Sequence, residues 1–270
     1  MTAGLPESLV ERARALAGGE HVPPEPRHAS TVVLVRRPLE VYLLRRVKGM
    51  AFAGGMHVFP GGSVDAADAG ADLAWAGPPA AWWGEVFGAD ESLGRALVCA
   101  AVRETFEESG VLLAGPSATE LLADVSTDEW EEERRALEAR EQSLSELLSR
   151  RGLVLRADLL RPLAHWITPE VESKRFDTRF FLAEMPAGQV CRDVGGEADE
   201  RVWVAPRTAL EGGFHLMPPT VAALTDLASY DDVGAVLASE RAVRPVLPKI
   251  LVEDDGGIRF LLPGDEGYPV

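Results

Sequence analysis

Apolar and polar positions recur with two different periods along this chain, and the switches between them outline its elements. "STVVLVRR" (residues 30–37) and "VYLLRR" (41–46) are apolar runs joined by the turn signal "PLE", which predicts an antiparallel pair of strands. "MHVFPGG" (56–62) reads as a further strand broken by proline and paired glycines. "LAHWIT" (163–168), "RFDTRFFLA" (175–183), "ERVWVAP" (200–206) and "GIRFLLPGD" (257–265) predict four more. In the second of these, Phe176, Thr178, Phe180 and Leu182 share one face, and Asp177 and Arg179 point to the other.

A helical period runs through "ESLGRALVCAAVRETFEES" (91–109), with Gly110 placed to stop the helix. Val98, Cys99, Val102 and Phe106 face away from its three late glutamates, while Leu93, Leu97 and Ala100 lie on the glutamate side one to three turns earlier. The first turns are therefore apolar nearly all round, which predicts burial between layers, with only the last turns opening to a cleft. "STDEWEEERRALEAREQSLSELLSRRG" (126–152) predicts one long helix with a capping box at Ser126 and Glu129, an apolar stripe at Trp130, Leu137, Leu144 and Leu148, and a solvated face of charges. "PPTVAALTDLA" (218–228) predicts another helix.

Residues 1–28 read as an amphipathic helix and a Pro-rich linker, without the apolar core of a signal peptide. Residues 63–95, with Trp75, Trp82, Trp83 and Phe87, read as an inserted loop with a short helix whose aromatics serve local packing. Strands and helices alternate irregularly, with no internal repeat and no long linker. That predicts one α/β domain over 1–270 with a mixed sheet between helical layers.

Composition narrows the function. At 270 residues and 46% hydrophobic positions the chain can bury a sizeable core, and no run of 18 apolar residues is long enough to span a membrane. The formal net charge of −16 argues against a nucleic-acid surface, which needs basic patches. It also makes a phosphate-bearing substrate hard to hold unless metal ions invert the local field. Cys99 and Cys191 make no disulfide framework and no metal spacing, as in a reducing cytoplasm.

The segment "RETFEESG" (103–110) breaks local rules. Glu104, Glu107 and Glu108 share one face of the last helical turns, where like charges repel and the macrodipole favours cations. Arg103 can pair with Glu107, but one arginine does not neutralise three carboxylates. A bound divalent cation would turn the liability into a ligand set.

"FPGG" (59–62) followed by "RETFEESGV" (103–111) resembles the Nudix hydrolase box, usually written G-x5-E-x7-R-E-U-x-E-E-x-G-U. Arg103, Glu104, Glu107, Glu108, Gly110 and Val111 match its second half, with Thr105 at an aliphatic position. The usual step from glycine to arginine is 14 positions and from Gly62 to Arg103 it is 41, so about 27 residues are inserted. Counting forward from Gly62 puts Asp68 at the glutamate place, and counting back from Arg103 puts Arg95 there.

A box split in this way resembles the peroxisomal coenzyme A diphosphatase subgroup, of the Nudix motif-nineteen type, and its bacterial relatives. "WITPE", "RFDTRFFLA", "MPPT" and "LPGDEGYP" are similar to segments of that subgroup. A coenzyme A motif upstream of the box is matched by Leu43, Leu44, Gly55 and the FPGG turn; Arg46 stands one place short of its first arginine, and Ala51 takes the place of its second.

The resemblance implies a Nudix α/β/α sandwich with a mixed sheet, an insertion within the box, and extra helices at 115–152. It implies an acid anhydride hydrolase that cleaves a nucleoside diphosphate linked to another moiety, with Mg²⁺ or Mn²⁺. Coenzyme A or acyl-coenzyme A leads as substrate, over ADP-ribose, NADH or a nucleotide sugar. A non-catalytic Nudix-fold binding module is the reading of another class, and the intact Glu104, Glu107 and Glu108 argue against it. The metal set it implies is Glu104, Glu107 and Glu108 with a backbone oxygen near Gly61, and Arg103 orients Glu104. Glu197, favoured over Glu200, is the further carboxylate expected from a loop. Substrate contacts are expected from Arg46, Gly62, Arg175 and Arg179, although Asp177 and Glu172 compete as ion-pair partners of the last two. The partner is a small nucleotide, with neither nucleic acid nor membrane, and a homodimer is left open.

Overall fold

The computed structural model describes residues 7–20, 22–49, 53–70, 73–195, 198–253 and 257–268. The central sheet is organised around β1 (Arg27–Arg36), whose "VVLV" run is buried on both faces. The second half of β1 pairs antiparallel with β2 (Glu40–Arg46), with Val35 opposite Val41. β2 then diverges, and the gap fills from the next segment of chain. β3 (His57–Val58) pairs with β2, and β4 (Gly61–Ser63) pairs with the first half of β1. The FPGG turn is thus wedged into a splayed hairpin, so its glycines form part of a cleft floor.

A small sheet lies apart, built from β5 (Trp75–Ala76), β6 (Ala114–Gly115) and β7 (Val154–Arg156). In the main sheet β8 (Arg161–Ile167) runs antiparallel to β9 (Phe176–Glu184), and β9 runs parallel to β1 along most of its length. β10 (Ala198–Val204) flanks β2, and β11 (Pro245–Val246) flanks β8, giving the order β10-β2-β1-β9-β8-β11. Outside it, β12 (Lys249–Val252) and β13 (Ile258–Leu261) form a hairpin.

Helices cover both faces. α1 (Glu7–Ala17) packs through Leu9 and Ala13 toward Ile250, Ile258 and Phe260 of the hairpin. After α2 (Ala66–Ala69), α3 (Ala80–Phe87) and α4 (Glu91–Ser109) cover the face that carries Val32, Leu34, Leu44 and Phe181. α4 starts at Asp90, which accepts from the Leu93 N–H at 2.8 Å, and stops at Gly110, whose φ of +72° is the left-handed region. As its all-round apolar start predicted, Leu97 through Val102 are buried.

The insertion is more structured than a loop with one helix. Trp83 and Phe87 stack within it and reach Phe181 with ring centroids 5.4 and 5.1 Å apart, as packing residues. The long helix expected over 126–152 is two helices, α5 (Asp128–Glu138) and α6 (Leu144–Arg151). Arg140 turns the chain with φ at +59°, and the working capping box is Ser143 with Glu146, while the Ser126 hydroxyl bonds Asp124. The face expected to be solvated buries Glu133 and Arg134. α7 (Pro206–Glu211), α8 (Pro218–Leu227) and α9 (Val233–Ala238) complete the layer over Val33, Val35, Leu43 and Leu182. The result is the α/β/α sandwich with a mixed sheet.

Candidate active site

The end of α4 meets β4 at a cleft of about 1110 Å³. Arg103 is the centre of this junction. Its Nε and Nη2 donate to the two oxygens of Asp68 at 3.2 and 3.0 Å, and Nη2 also donates to the Ser63 carbonyl at 2.9 Å. Nη1 donates to Glu104 at 2.7 Å and to Glu107 at 3.3 Å. Burial works against this guanidinium's charge, but Asp68, Glu104 and Glu107 hold its pKa raised. Asp68 is itself buried on α2. The insertion therefore folds back, and of the two counts Asp68 is the residue that meets the arginine; Arg95 lies over the Trp75 ring instead.

The glycines explain the close fit. A Cβ on Gly62 would run into the Glu104 carboxylate, and one on Gly61 would lie 2.5 Å from the Ser30 carbonyl oxygen. The Gly61 N–H donates to Glu108 at 2.8 Å. Val32 N–H donates to the Pro60 carbonyl and Val64 N–H to the His28 carbonyl, so Thr31 and Gly61 form a non-hydrogen-bonded pair. The N–H and C=O of Gly61 accordingly both turn away from β1, toward the side where Glu108 lies.

Burial, then the neighbouring Glu104, push the Glu107 carboxyl up to about 7, and burial also raises Glu104 against the pull of Arg103. Behind them the fully buried Arg134 donates to the Glu107 carbonyl at 2.8 Å and to the Val194 carbonyl at 3.2 Å. It satisfies an orphan carbonyl at the negative end of α4, so part of the dipole conflict is relieved from another element.

The other expected residues divide. Arg46 and Gly62 line the cleft. Arg175 and Arg179 do not: Arg175 donates to the Thr168 and Pro24 carbonyls, and Arg179 pairs with Asp177 at 2.6 Å on the opposite face of β9. It is Phe176, Thr178 and Phe180 that face the cleft. Arg45 is bound to Asp199 and Glu200, both at 2.7 Å, which also draws Glu200 away from the acidic edge. Glu197 and Ala51 lie outside the described residues. Arg140 and Lys174 line the cleft and were missed by sequence reasoning, because nothing in a lone basic residue of a polar segment marks which way it will face.

The NUDT19 Nudix domain model matches residues 90–224. The acyl-coenzyme A diphosphatase NUDT19 of Gallus gallus is 30% identical, over 85% of this chain and 73% of that protein. The chain is a Nudix hydrolase. The Xenopus laevis acyl-coenzyme A diphosphatase NUDT19 is 27% identical over 85% of the chain and 71% of that protein. A Nudix hydrolase structure from Alicyclobacillus acidocaldarius superposes with a TM-score of 0.67 at 29% identity, covering 81% of this chain and 98% of that one.

A divalent cation would find hard oxygen donors on this Nudix hydrolase at Glu104, Glu107, Glu108 and the Gly61 carbonyl. Among the described residues no three acidic, histidine or cysteine side chains converge into a closed cage. Mg²⁺ does not ask for one, because it keeps several waters and binds through one or two carboxylates plus substrate phosphates. The residues fit an ion of that kind: half-buried carboxylates crowd one edge, and the one guanidinium that Glu104 and Glu107 share, Arg103, is also bound by Asp68. Among the described residues no helix is long and apolar enough to cross a membrane.

Proposed function

We propose that this Nudix hydrolase cleaves the diphosphate bond of coenzyme A or acyl-coenzyme A, releasing 3′,5′-ADP and (acyl) 4′-phosphopantetheine. The observation that carries the reading is the joining of an acidic edge and an apolar wall in one cleft. Glu104, Glu107 and Glu108 line it together with Trp166, Phe180, Met217 and Phe260. A diphosphate with a polar nucleotide and a long, partly apolar arm matches that combination. The similarity to the acyl-coenzyme A diphosphatases of Gallus gallus and Xenopus laevis supports the same reading.

Glu104, Glu107 and Glu108, with the Gly61 carbonyl, would hold Mg²⁺ or Mn²⁺. When bound, such an ion neutralises the diphosphate and lowers the pKa of water. The protein's own part is positional. Asp68 and the Ser63 carbonyl fix the Arg103 guanidinium, which orients Glu104 and Glu107. The Gly61 N–H fixes Glu108. Gly62 lets the acidic helix approach the floor, and Arg46 is placed to meet phosphate. Glu197 would supply a further carboxylate.

Incubation with Mg²⁺ and coenzyme A, acetyl-coenzyme A, ADP-ribose and NADH, with mass spectrometry of the products, tests this reading. The expected products are 3′,5′-ADP and the phosphopantetheine species. Efficient cleavage of ADP-ribose or NADH with none of coenzyme A would overturn the substrate.

A further inference from the structure

Arg140 closes α5 with φ at +59°, a left-handed conformation that glycine adopts without strain and a side chain adopts at a cost. Strained backbone of this kind tends to be kept where a side chain has work at a site. Its side chain is largely exposed and lines the same cleft as Glu104 and Glu107. Nη2 of Arg140 is 3.5 Å from Asp65, a long ion pair, and Asp65 is in turn 3.9 Å from Arg103 Nη2. Arg140 therefore stands two charge contacts from the centre of the acidic edge.

Besides Arg46 and Lys174, which also line the cleft, the neighbouring cations are committed elsewhere. Arg103 donates to Asp68, Glu104, Glu107 and the Ser63 carbonyl. Arg134 is fully buried on Glu131, Glu138 and two backbone carbonyls, and Arg45 holds Asp199 and Glu200. A diphosphate entering beside three glutamates, on a chain of net charge −16, needs a cation whose present partner is easily exchanged. An exposed pair at 3.5 Å is worth little to stability and meets that need.

We infer that Arg140 is a diphosphate-binding residue, exchanging Asp65 for the non-bridging phosphate oxygens of the bound substrate. The planar guanidinium suits two such oxygens at once. This rests on the reading of the cleft as a diphosphate site, and it adds a contact from the helical arm that lies outside the Nudix box.

Strain and binding give opposite signs, and the test exploits that. Arg140→Gly relieves the left-handed backbone, so its melting temperature should rise by about 2 °C. The same variant should bind Mg·ADP about tenfold more weakly by titration calorimetry, and its KM for coenzyme A should rise by a similar factor. Arg140→Lys keeps a cation and the strain but loses the fork, so its binding should fall between the parent's and that of Arg140→Gly while it melts at the parent temperature. An Arg140→Gly protein that melts higher but binds Mg·ADP as tightly as the parent would overturn the inference and leave Arg140 a strained helix end. Arg140-dependent binding of Mg·ADP by a parent protein that cleaves no nucleoside diphosphate would support the inference and overturn the hydrolytic reading. The two failures are therefore distinct.

Discussion

Glu108 accepts a backbone N–H, Glu104 and Glu107 share one arginine, and Asp68 holds that arginine from the far side. These four carboxylates should respond differently to neutralisation. Glu108→Gln is expected to cut turnover at saturating Mg²⁺ by about two to three orders of magnitude, as loss of a preorganised charge at a reacting centre does. Its unfolding midpoint in urea should stay close to the parent's. Asp68→Asn should lower stability by about 3 kcal/mol, because it strips a buried partner from Arg103, while costing turnover less than Glu108→Gln. Steady-state kinetics and urea titration of the two variants check this, and equal losses of turnover would place Asp68 among the metal-holding groups. The three glutamates were legible in the sequence because helical spacing alone puts them on one face. Asp68 was legible only as one of two counts, since about 27 inserted residues separate the halves of the box and only the fold-back decides. Arg175 and Arg179 failed for a different reason. Alternation along β9 separates Phe176, Thr178 and Phe180 from Asp177 and Arg179, but it does not say which set looks into the cleft.

Between elements, the α5–α6 arm is joined through Glu133, a buried carboxylate that accepts from Arg150, Gln142 and Arg151. The Arg150 hydrogen bond is the largest cause of its pKa falling to about 2. A carboxylate depressed in the folded state contributes stability that is complete above its unfolded pKa, near 4.5, and is lost as pH falls through that value toward 2. Glu133→Gln should therefore lower stability at pH 7 by about 2 kcal/mol and flatten that part of the acid limb, as urea titrations between pH 7 and pH 3 would show. The strands of the sheet and α4 were readable from period and stop signals. The break in the arm was not, because "REQSLSE" keeps helical charges and an apolar stripe across a turn whose left-handed residue is an arginine. Nor does an i,i+4 pattern of charges reveal that Arg134 is turned inward to cap a neighbouring helix, since capping depends on where α4 ends in space.

Across the whole molecule, the apolar wall depends on parts far apart in sequence. Phe260 and Leu262 line the cleft from the β12–β13 hairpin, and α1 supports that hairpin through Leu9 and Ala13. Leu9→Asp should therefore raise KM for a long-chain acyl-coenzyme A more than for coenzyme A itself, while the chelator-sensitive turnover at saturation stays near the parent value. Parallel kinetics on the two substrates would show it; equal shifts would detach α1 from the wall. Chelation with EDTA should abolish turnover and leave the melting curve within a few degrees, because the described core is held by apolar burial on both faces of the sheet. The parallel pairing of β1 with β9 carries one more consequence, for the birth of the chain. His28 and Arg179, hydrogen-bonded across these strands, are 151 positions apart. At about 5 to 20 residues per second, a ribosome leaves β1 without that neighbour for about 8 to 30 seconds. Throughout that wait its run of valines and leucine has one unpaired edge, so the nascent chain's need for a holding chaperone should be greatest between the emergence of the first glycine turn and that of β9.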